Sequence, residues 1–188
     1  MTDSHASNIA TREQRMLHAL AFASESLLLG HWCERASSVL QHLGEATEMS
    51  RVYIFRNRLD AGRVLTTQIA EWTAAGIEPQ IDNPELVDFA LAEGGYGRWI
   101  EVLGRGEIVA GSVGEFPPDE QEFLAAQHIL AVAVAPIQVG GRWWGFVGFD
   151  DRYKLGRGRA IAGQSRGLGL ETRSRRSSAE SRCPSRRG

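Results

Sequence analysis

The sequence predicts an α+β domain in which helices flank an antiparallel sheet of about five or six strands, followed by an irregular C-terminal tail. Three observations lead to this fold class. Apolar residues near the N-terminus recur at steps of three and four, as on one face of a helix. Two pairs of short apolar segments are each joined by a glycine-containing turn, as in β-hairpins. Helical segments and a long connection separate these pairs.

Two helices open the chain. The first is predicted from Thr11 to about Gly30 and the second from Trp32 to about Glu48. The first carries an apolar stripe of Met16, Leu17, Leu20, Ala21, Leu27 and Leu28, and the second a buried side of Val39, Leu40, Leu43 and Ala46.

Strand-like periodicity follows, with a hairpin that joins RVYIFRN, from Arg51, to RVLTTQIAEW, from Arg63. A connection then runs from Thr73 to about Gly97, with a short helix expected at 84–92. The next segments predict a short helix in RWIEVLGRG, a strand in EIVAGSV and a helix in PPDEQEFLAAQHI.

The last hairpin pairs a strand at about 130–139 with one at about 142–150 across Gly140 and Gly141. Its first strand, which contains ILAVAVAPI, is nearly all apolar. We therefore expect this strand to be central in the sheet and covered on both faces.

The charge distribution divides the chain in two. Residues 1–151 carry 10 Arg and no Lys against 21 acidic residues, whereas residues 152–188 carry 10 Arg and one Lys against two Glu. Nucleic acid is therefore not an expected partner of the folded region, since phosphate binding relies on clustered basic residues. The basic tail is expected to be disordered, with polyanion binding as the alternative.

Membrane insertion and export are not predicted. The longest apolar run has nine residues and starts at Ile129, whereas a bilayer span needs about 20. The N-terminus lacks the apolar core of a signal peptide. Cys33 and Cys183 form no plausible disulfide framework. We expect reduced thiols and a cytoplasmic location.

Four segments carry a resemblance to a known family: SRVYIFRNR, AEWTAAGIEPQIDNPEL, GRWIEVLGRGEIVAGSVGEFPPDEQEFLAAQHI and LAVAVAPIQVGGRWWGFVGFDD. Together they resemble the GAF domains of bacterial sensor histidine kinases and related multidomain signalling proteins. The resemblance covers about residues 32–151, which become the expected sensory domain, with the amphipathic helix in residues 1–31 before it and the basic tail in residues 152–188 after it.

The resemblance implies a regulatory domain of a two-component or related system that senses a small molecule. In such domains the connection after the first hairpin closes a ligand cavity against the sheet, so Trp72, Tyr96, Arg98 and Trp99 become candidate ligand-binding residues. Arg98 is suited to a carboxylate or phosphate, or to a surface ion pair. Trp143 and Trp144 straddle the sheet, and Trp144 is the fifth candidate. The ligand and any cofactor remain unidentified.

Enzymatic activity and a metal site are not expected. The region of the expected cavity contains no cysteine, the five histidines are dispersed, and Asp150 and Asp151 are adjacent on a strand and so face opposite ways. The alternative to a sensor is a protein interaction module that forms a homodimer through the first helix and binds no small molecule.

The segment after Asp151 departs from the resembling family, whose domains continue there into a long amphipathic helix. Residues 152–188 instead contain six glycines, and each costs up to about 1 kcal/mol in a helix. We expect either a truncation or shift of the reading frame after Asp151, with the output module missing, or a natural tail. Without the closing helix, the apolar stripe of the first helix should stay exposed and favour self-association.

Overall fold

The computed structural model describes residues 3–28 and 32–152. Apart from Arg152, the predicted tail and the predicted change of reading frame lie outside these residues, as does Cys183. Among the helices of the described residues, none is both long and apolar enough to cross a membrane.

Two long helices, α1 (Asp3–Leu28) and α2 (Trp32–Thr47), pack against each other at the start of the chain. The first begins before its predicted start. Phe22 of α1 stacks on His42 of α2 with ring centroids 4.3 Å apart, and Ala19 is 2% exposed. A small side chain in this position allows the two helices to approach closely.

Three leucines of the predicted apolar stripe of α1 are exposed. Leu17, Leu20 and Leu28 are 67%, 50% and 87% exposed.

Six strands form one sheet, and every neighbouring pair is antiparallel. They are β1 (Arg51–Asp60), β2 (Arg63–Thr73), β3 (Phe89–Ala90), β4 (Val109–Ser112), β5 (Ala131–Val139) and β6 (Arg142–Asp151). Their order is β3-β2-β1-β6-β5-β4. The predicted fold class is confirmed, as is the pairing of β5 with β6 across Gly140 and Gly141, whose positive φ angles of 58° and 74° suit a tight hairpin turn.

The prediction that β5 is central was wrong. β4 pairs with its outer side, so β5 lies one strand from the edge, and β1 and β6 occupy the centre. Its apolar run combines two fully buried valines, Val132 and Val134, with half-buried alanines on the other face. Because alanine is apolar but small, a strand with half-buried alanines on one face has the same unbroken apolar sequence as a strand that is deeply buried on both faces.

The predicted helix at 84–92 is also absent. That segment forms a single 3₁₀ turn (Pro84–Leu86) and then β3, and a π turn (Ala92–Tyr96) leads into α3 (Gly97–Gly104). The helix α4 (Pro118–Ala126) precedes β5.

The two faces of the sheet have separate cores. The α3 face, with Tyr53, Phe55, Val134 and Phe146, packs against α3, α4 and the connection after β2. The α2 face, with Val52, Ile54 and Ala70, packs against Ala36 and Leu40 of α2.

Candidate functional site

A cavity lies on the α3 face, between strands β1, β2 and β6 and the segments that carry α3 and α4. The space open to the centres of water-sized molecules is about 60 Å³, whereas one buried water needs about 10–15 Å³ on that measure. Seven aromatic residues line it: Tyr53, Phe55, Phe89, Tyr96, Trp99, Phe123 and Phe146. The cavity can therefore take several waters or a small flat molecule.

A buried cluster of charged side chains forms one end of the cavity. Arg51 donates to Asp150 Oδ2 from Nε at 3.0 Å and from Nη2 at 2.6 Å. The same Nη2 donates to Gln127 Oε1 at 2.9 Å, and the Tyr53 hydroxyl donates to Asp150 Oδ1 at 2.8 Å. Arg51 and Asp150 are cross-strand partners of β1 and β6, so the sheet register itself brings the two charges together.

This cluster contains more negative than positive charge. Glu71 Oε1 lies 4.0 Å from Arg51 Nε, and Glu71 Oε2 accepts from two backbone N–H groups. Burial raises the pKa of Asp150, and the charge and hydrogen bonds of Arg51 only partly offset this. Burial and the charge of Asp150 raise the pKa of Tyr53 well above its ordinary value. Tyr53 thus remains a proton donor to Asp150, and Arg51 is already neutralised.

Tyr96 and Trp99 supply the wall next to α3. Their rings meet edge to face with centroids 4.8 Å apart. The Trp99 indole donates to Glu120 Oε2 at 2.8 Å, and the Tyr96 hydroxyl donates to the backbone oxygen of Glu120 at 3.4 Å. Glu120 is 1% exposed and also accepts from Arg98 Nε at 2.8 Å and Nη2 at 2.6 Å. These bonds hold the Trp99 ring in a fixed orientation against the cavity.

The five predicted ligand-binding residues separate into three locations. Tyr96 and Trp99 line the cavity. Arg98 pairs with Glu120, and its side chain is 41% exposed. Trp72 and Trp144 pack on the α2 face and are not among the lining residues. Ligand binding by Tyr96 and Trp99 stays a prediction.

Strand geometry explains why the two remaining tryptophans lie elsewhere. Trp72 is the cross-strand partner of Val52 on the α2 face. In the last hairpin, Ile137 pairs with Gly145 and Gln138 pairs with Trp143, so Trp144 is the extra residue of a β-bulge. The bulge interrupts simple alternation, and Trp143 rather than Trp144 packs on the α3 face.

Arg51, Tyr53 and Asp150 were not among the predicted site residues. Asp150 was predicted only as the end of a strand, although the register makes it a buried partner of a residue 99 positions away. The available signal was the alternation of Arg51, Tyr53 and Phe55 with apolar Val52 and Ile54, which puts one arginine on the same face as two aromatic rings.

Comparison with known proteins identifies the family. Residues 33–159 match the GAF domain. The chain belongs to the GAF domain family. The chain is 40% identical over 144 residues to the methanogenesis regulatory histidine kinase FilI of Methanothrix harundinacea (strain 6Ac). This match covers 76% of the chain and 16% of the kinase, so the chain spans about a sixth of that relative's length.

Solved GAF structures share the fold at low sequence identity. The chromophore-binding domain of a bacteriophytochrome from R. palustris is 14% identical with a TM-score of 0.59, over 74% of this chain and 54% of that one. The phycoerythrobilin-bound GAF domain of a cyanobacterial phytochrome is 16% identical with a TM-score of 0.55, over 76% of this chain and 81% of that one.

The cavity lining combines aromatic, aliphatic and polar side chains. The lining of this GAF domain, within the part of the chain that the structure describes, contains neither cysteine nor histidine. In the same described residues, no group of three His, Cys, Asp or Glu side chains could hold a metal ion.

Proposed function

We propose that this GAF domain is the sensory module of a two-component signalling protein, that it binds a small molecule in the cavity of the α3 face, and that it has no enzymatic activity. The observation that carries the proposal is the cavity itself, which is bounded by aromatic rings and has polar side chains at both ends. Concave, mostly apolar sites with a few placed polar groups are typical of small-molecule binding. The relationship to a regulatory histidine kinase supports a role in signalling.

The chemistry of the charged end supports binding rather than catalysis. Both oxygens of Asp150 accept hydrogen bonds, from Arg51 and Tyr53. Asp150 accepts three hydrogen bonds, which occupy most of the roughly four acceptor positions of a carboxylate and favour a structural role over proton exchange with a substrate.

The proposal is tested by a thermal-shift screen of a metabolite library, followed by calorimetric titration of each hit. Trp99→Ala should weaken binding by about tenfold, since it removes both area and an aromatic contact. Trp72→Ala is the matched control, because it deletes the same side chain from the opposite face and should leave affinity unchanged. Equal effects of the two variants, or a library without hits, would contradict the proposal, and conversion of a hit during incubation would contradict the absence of activity.

A second candidate function is homodimerisation through α1. It is favoured by the exposed side chains of Leu17, Leu20 and Leu28, which follow one another at helical spacing on a single stripe. Apolar stripes of this kind bury their surface on association.

Light scattering tests this second function. A Leu17→Glu, Leu20→Glu double variant should shift a dimer to a monomer, whereas His18→Glu, an exposed substitution on the same helix, should not. A wild-type chain that is monomeric at high concentration would rule out this function.

A further inference from the structure

Two polar side chains from β2 form the other end of the cavity. Thr66 and Gln68 both line it and are 1% and 7% exposed. Thr66 Oγ1 and Gln68 Nε2 are buried and have no hydrogen-bond partner among the described residues. Gln68 is the cross-strand partner of Phe55. Phe55 lies four residues along β1 from Arg51, so this end of the cavity is separate from the charged cluster.

Thr66 and Gln68 belong to a row of polar side chains, here called the polar row, that extends from β2 to Asn57 of β1 and Trp143 of β6. Asn57 is the cross-strand partner of Thr66 and therefore shares its face of the sheet. Asn57 Nδ2 and Oδ1 are buried without a partner among the described residues, as is the indole nitrogen of Trp143, which packs on the α3 face of β6. Asn57 and Trp143 do not line the cavity, so Thr66 and Gln68 are the members of the row that face it. Because buried polar groups are nearly always hydrogen-bonded, these two call for a partner with polar atoms of its own.

The hydrogen-bond donors and acceptors of the polar row determine which chemical groups a ligand must present. Gln68 Nε2 and Trp143 Nε1 can only donate, the Asn57 amide donates and accepts, and the Thr66 hydroxyl does either. All four side chains are uncharged. Of the four, Thr66 and Gln68 line the cavity, so a ligand there must present an acceptor to Gln68 Nε2 and can present either a donor or an acceptor to Thr66.

The charged end disfavours an ionic ligand. Arg51 is bonded to Asp150 and lies close to Glu71, so the cluster has no unmatched guanidinium for an anion. Asp150 is already paired with Arg51 and Tyr53. Glu71 Oε1 has no hydrogen-bond partner among the described residues, but Glu71 does not line the cavity, so no unpaired carboxylate among the described lining residues faces a cation there. The walls between the two ends are aromatic and suit a flat ring.

We infer that the ligand is an uncharged planar ring with an amide-like edge, and that Thr66 and Gln68 bind this edge. The inference rests on the proposed function of the cavity and adds the ligand class and the orientation of the ligand. The ring lies among Phe89, Tyr96 and Trp99, and its carbonyl and N–H face β2.

Four single-ring probes separate the ligand classes: 2-pyridone carries the amide edge, benzoate an anion, benzylammonium a cation, and toluene no polar edge. Each is titrated into the ¹⁵N-labelled full chain, with side-chain N–H resonances as the readout. We expect 2-pyridone to bind about fivefold more tightly than each of the other three, as one or two net hydrogen bonds allow. Its binding should shift the Trp99 indole and Gln68 side-chain resonances, since both residues line the cavity.

Variants test the orientation. Thr66→Val and Gln68→Leu should each reduce affinity for 2-pyridone by about fivefold and leave affinity for toluene unchanged. The matched control is Gln138→Leu, the same substitution at an exposed position of β5, which should change neither affinity. Thr66→Val preserves shape, so it remains informative if Gln68→Leu folds poorly.

Tighter binding of benzoate, benzylammonium or toluene would overturn the inferred class, as would no binding of any probe. The sensor function would survive either result if the metabolite screen yields ligands whose affinity depends on Trp99.

Discussion

Arg51 and Asp150 show how this domain accommodates charge in its interior. Their side chains are 4% and 1% exposed, and burial of one isolated charge costs several kcal/mol. The cost is offset because the guanidinium makes two bonds to one carboxylate oxygen, while Gln127 and Tyr53 satisfy further positions. The pair could not be predicted from sequence, since the two residues lie 99 positions apart and meet only through the register of β1 and β6.

Asp150→Asn should lower the free energy of unfolding by about 3 kcal/mol, because it leaves Arg51 buried without its main counterion. The loss should stay near the low end of the usual range, since Glu71 remains 4.0 Å from Arg51. Urea denaturation measures the change. Glu107→Gln, which breaks an exposed pair with Arg105, is the control and should have no measurable effect. A stability of Asp150→Asn equal to wild type would contradict the role assigned to the cluster.

The two cavity tyrosines should resist alkaline titration. The pKa values of Tyr53 and Tyr96 are raised above the ordinary value of 10.0, first by burial and then by nearby carboxylates. Because their folded pKa values exceed the unfolded ones, their contribution to stability is complete below about pH 10 and is lost as the pH rises further.

Ultraviolet absorbance of tyrosinate measures this, in a Tyr153→Phe background that leaves only these two phenols. Neither should ionise before the protein unfolds, whereas both should titrate near pH 10 in concentrated urea. Ionisation of both phenols near pH 10 in the folded protein would show that they are not buried as described.

At the scale of elements, the parts predicted well were those with strong local signals. Paired apolar segments around Gly140 and Gly141 identified the last hairpin, because left-handed turn residues favour that connection. β3 has only two residues, too few to show a period, and it is held by pairing with β2. Trp144, a predicted ligand-binding candidate, packs on the α2 face, which could not be predicted because a β-bulge leaves no clear pattern in the sequence.

Gly145 marks a close approach between β6 and β1. A Cβ atom there would overlap the carbonyl oxygen of Phe55, a backbone atom that cannot move without the strand. Its role is therefore to let the two central strands meet.

Gly145→Ala should consequently destabilise the domain by about 2 kcal/mol or more, as overpacking of a core does. Gly104→Ala is the matched control, since a Cβ there meets nothing within 4 Å at the end of α3 and should stabilise the helix slightly. Thermal melting compares the two. A Gly145→Ala protein as stable as Gly104→Ala would mean that the strands do not approach in this way.

At the scale of the whole molecule, the sheet separates two environments. The α2 face is an apolar contact between the sheet and a helix, whereas the α3 face holds the aromatic cavity, the charged cluster and the polar row. The sequence predicted which connection would cover the cavity, through Tyr96 and Trp99. It could not predict the polar ends, because they combine residues of β1, β2 and β6 that become neighbours only in the assembled sheet.

Four tryptophans report on these two faces separately, and their indole N–H resonances test the central claim most directly. Trp99 and Trp143 pack on the α3 face, and Trp72 and Trp144 on the α2 face. In a titration of the ¹⁵N-labelled domain with a metabolite library, the compounds that bind should shift Trp99 and Trp143 in a saturable way and leave Trp72 and Trp144 unchanged. Shifts confined to Trp72 and Trp144, or no saturable shift with any compound, would contradict a ligand site on the α3 face.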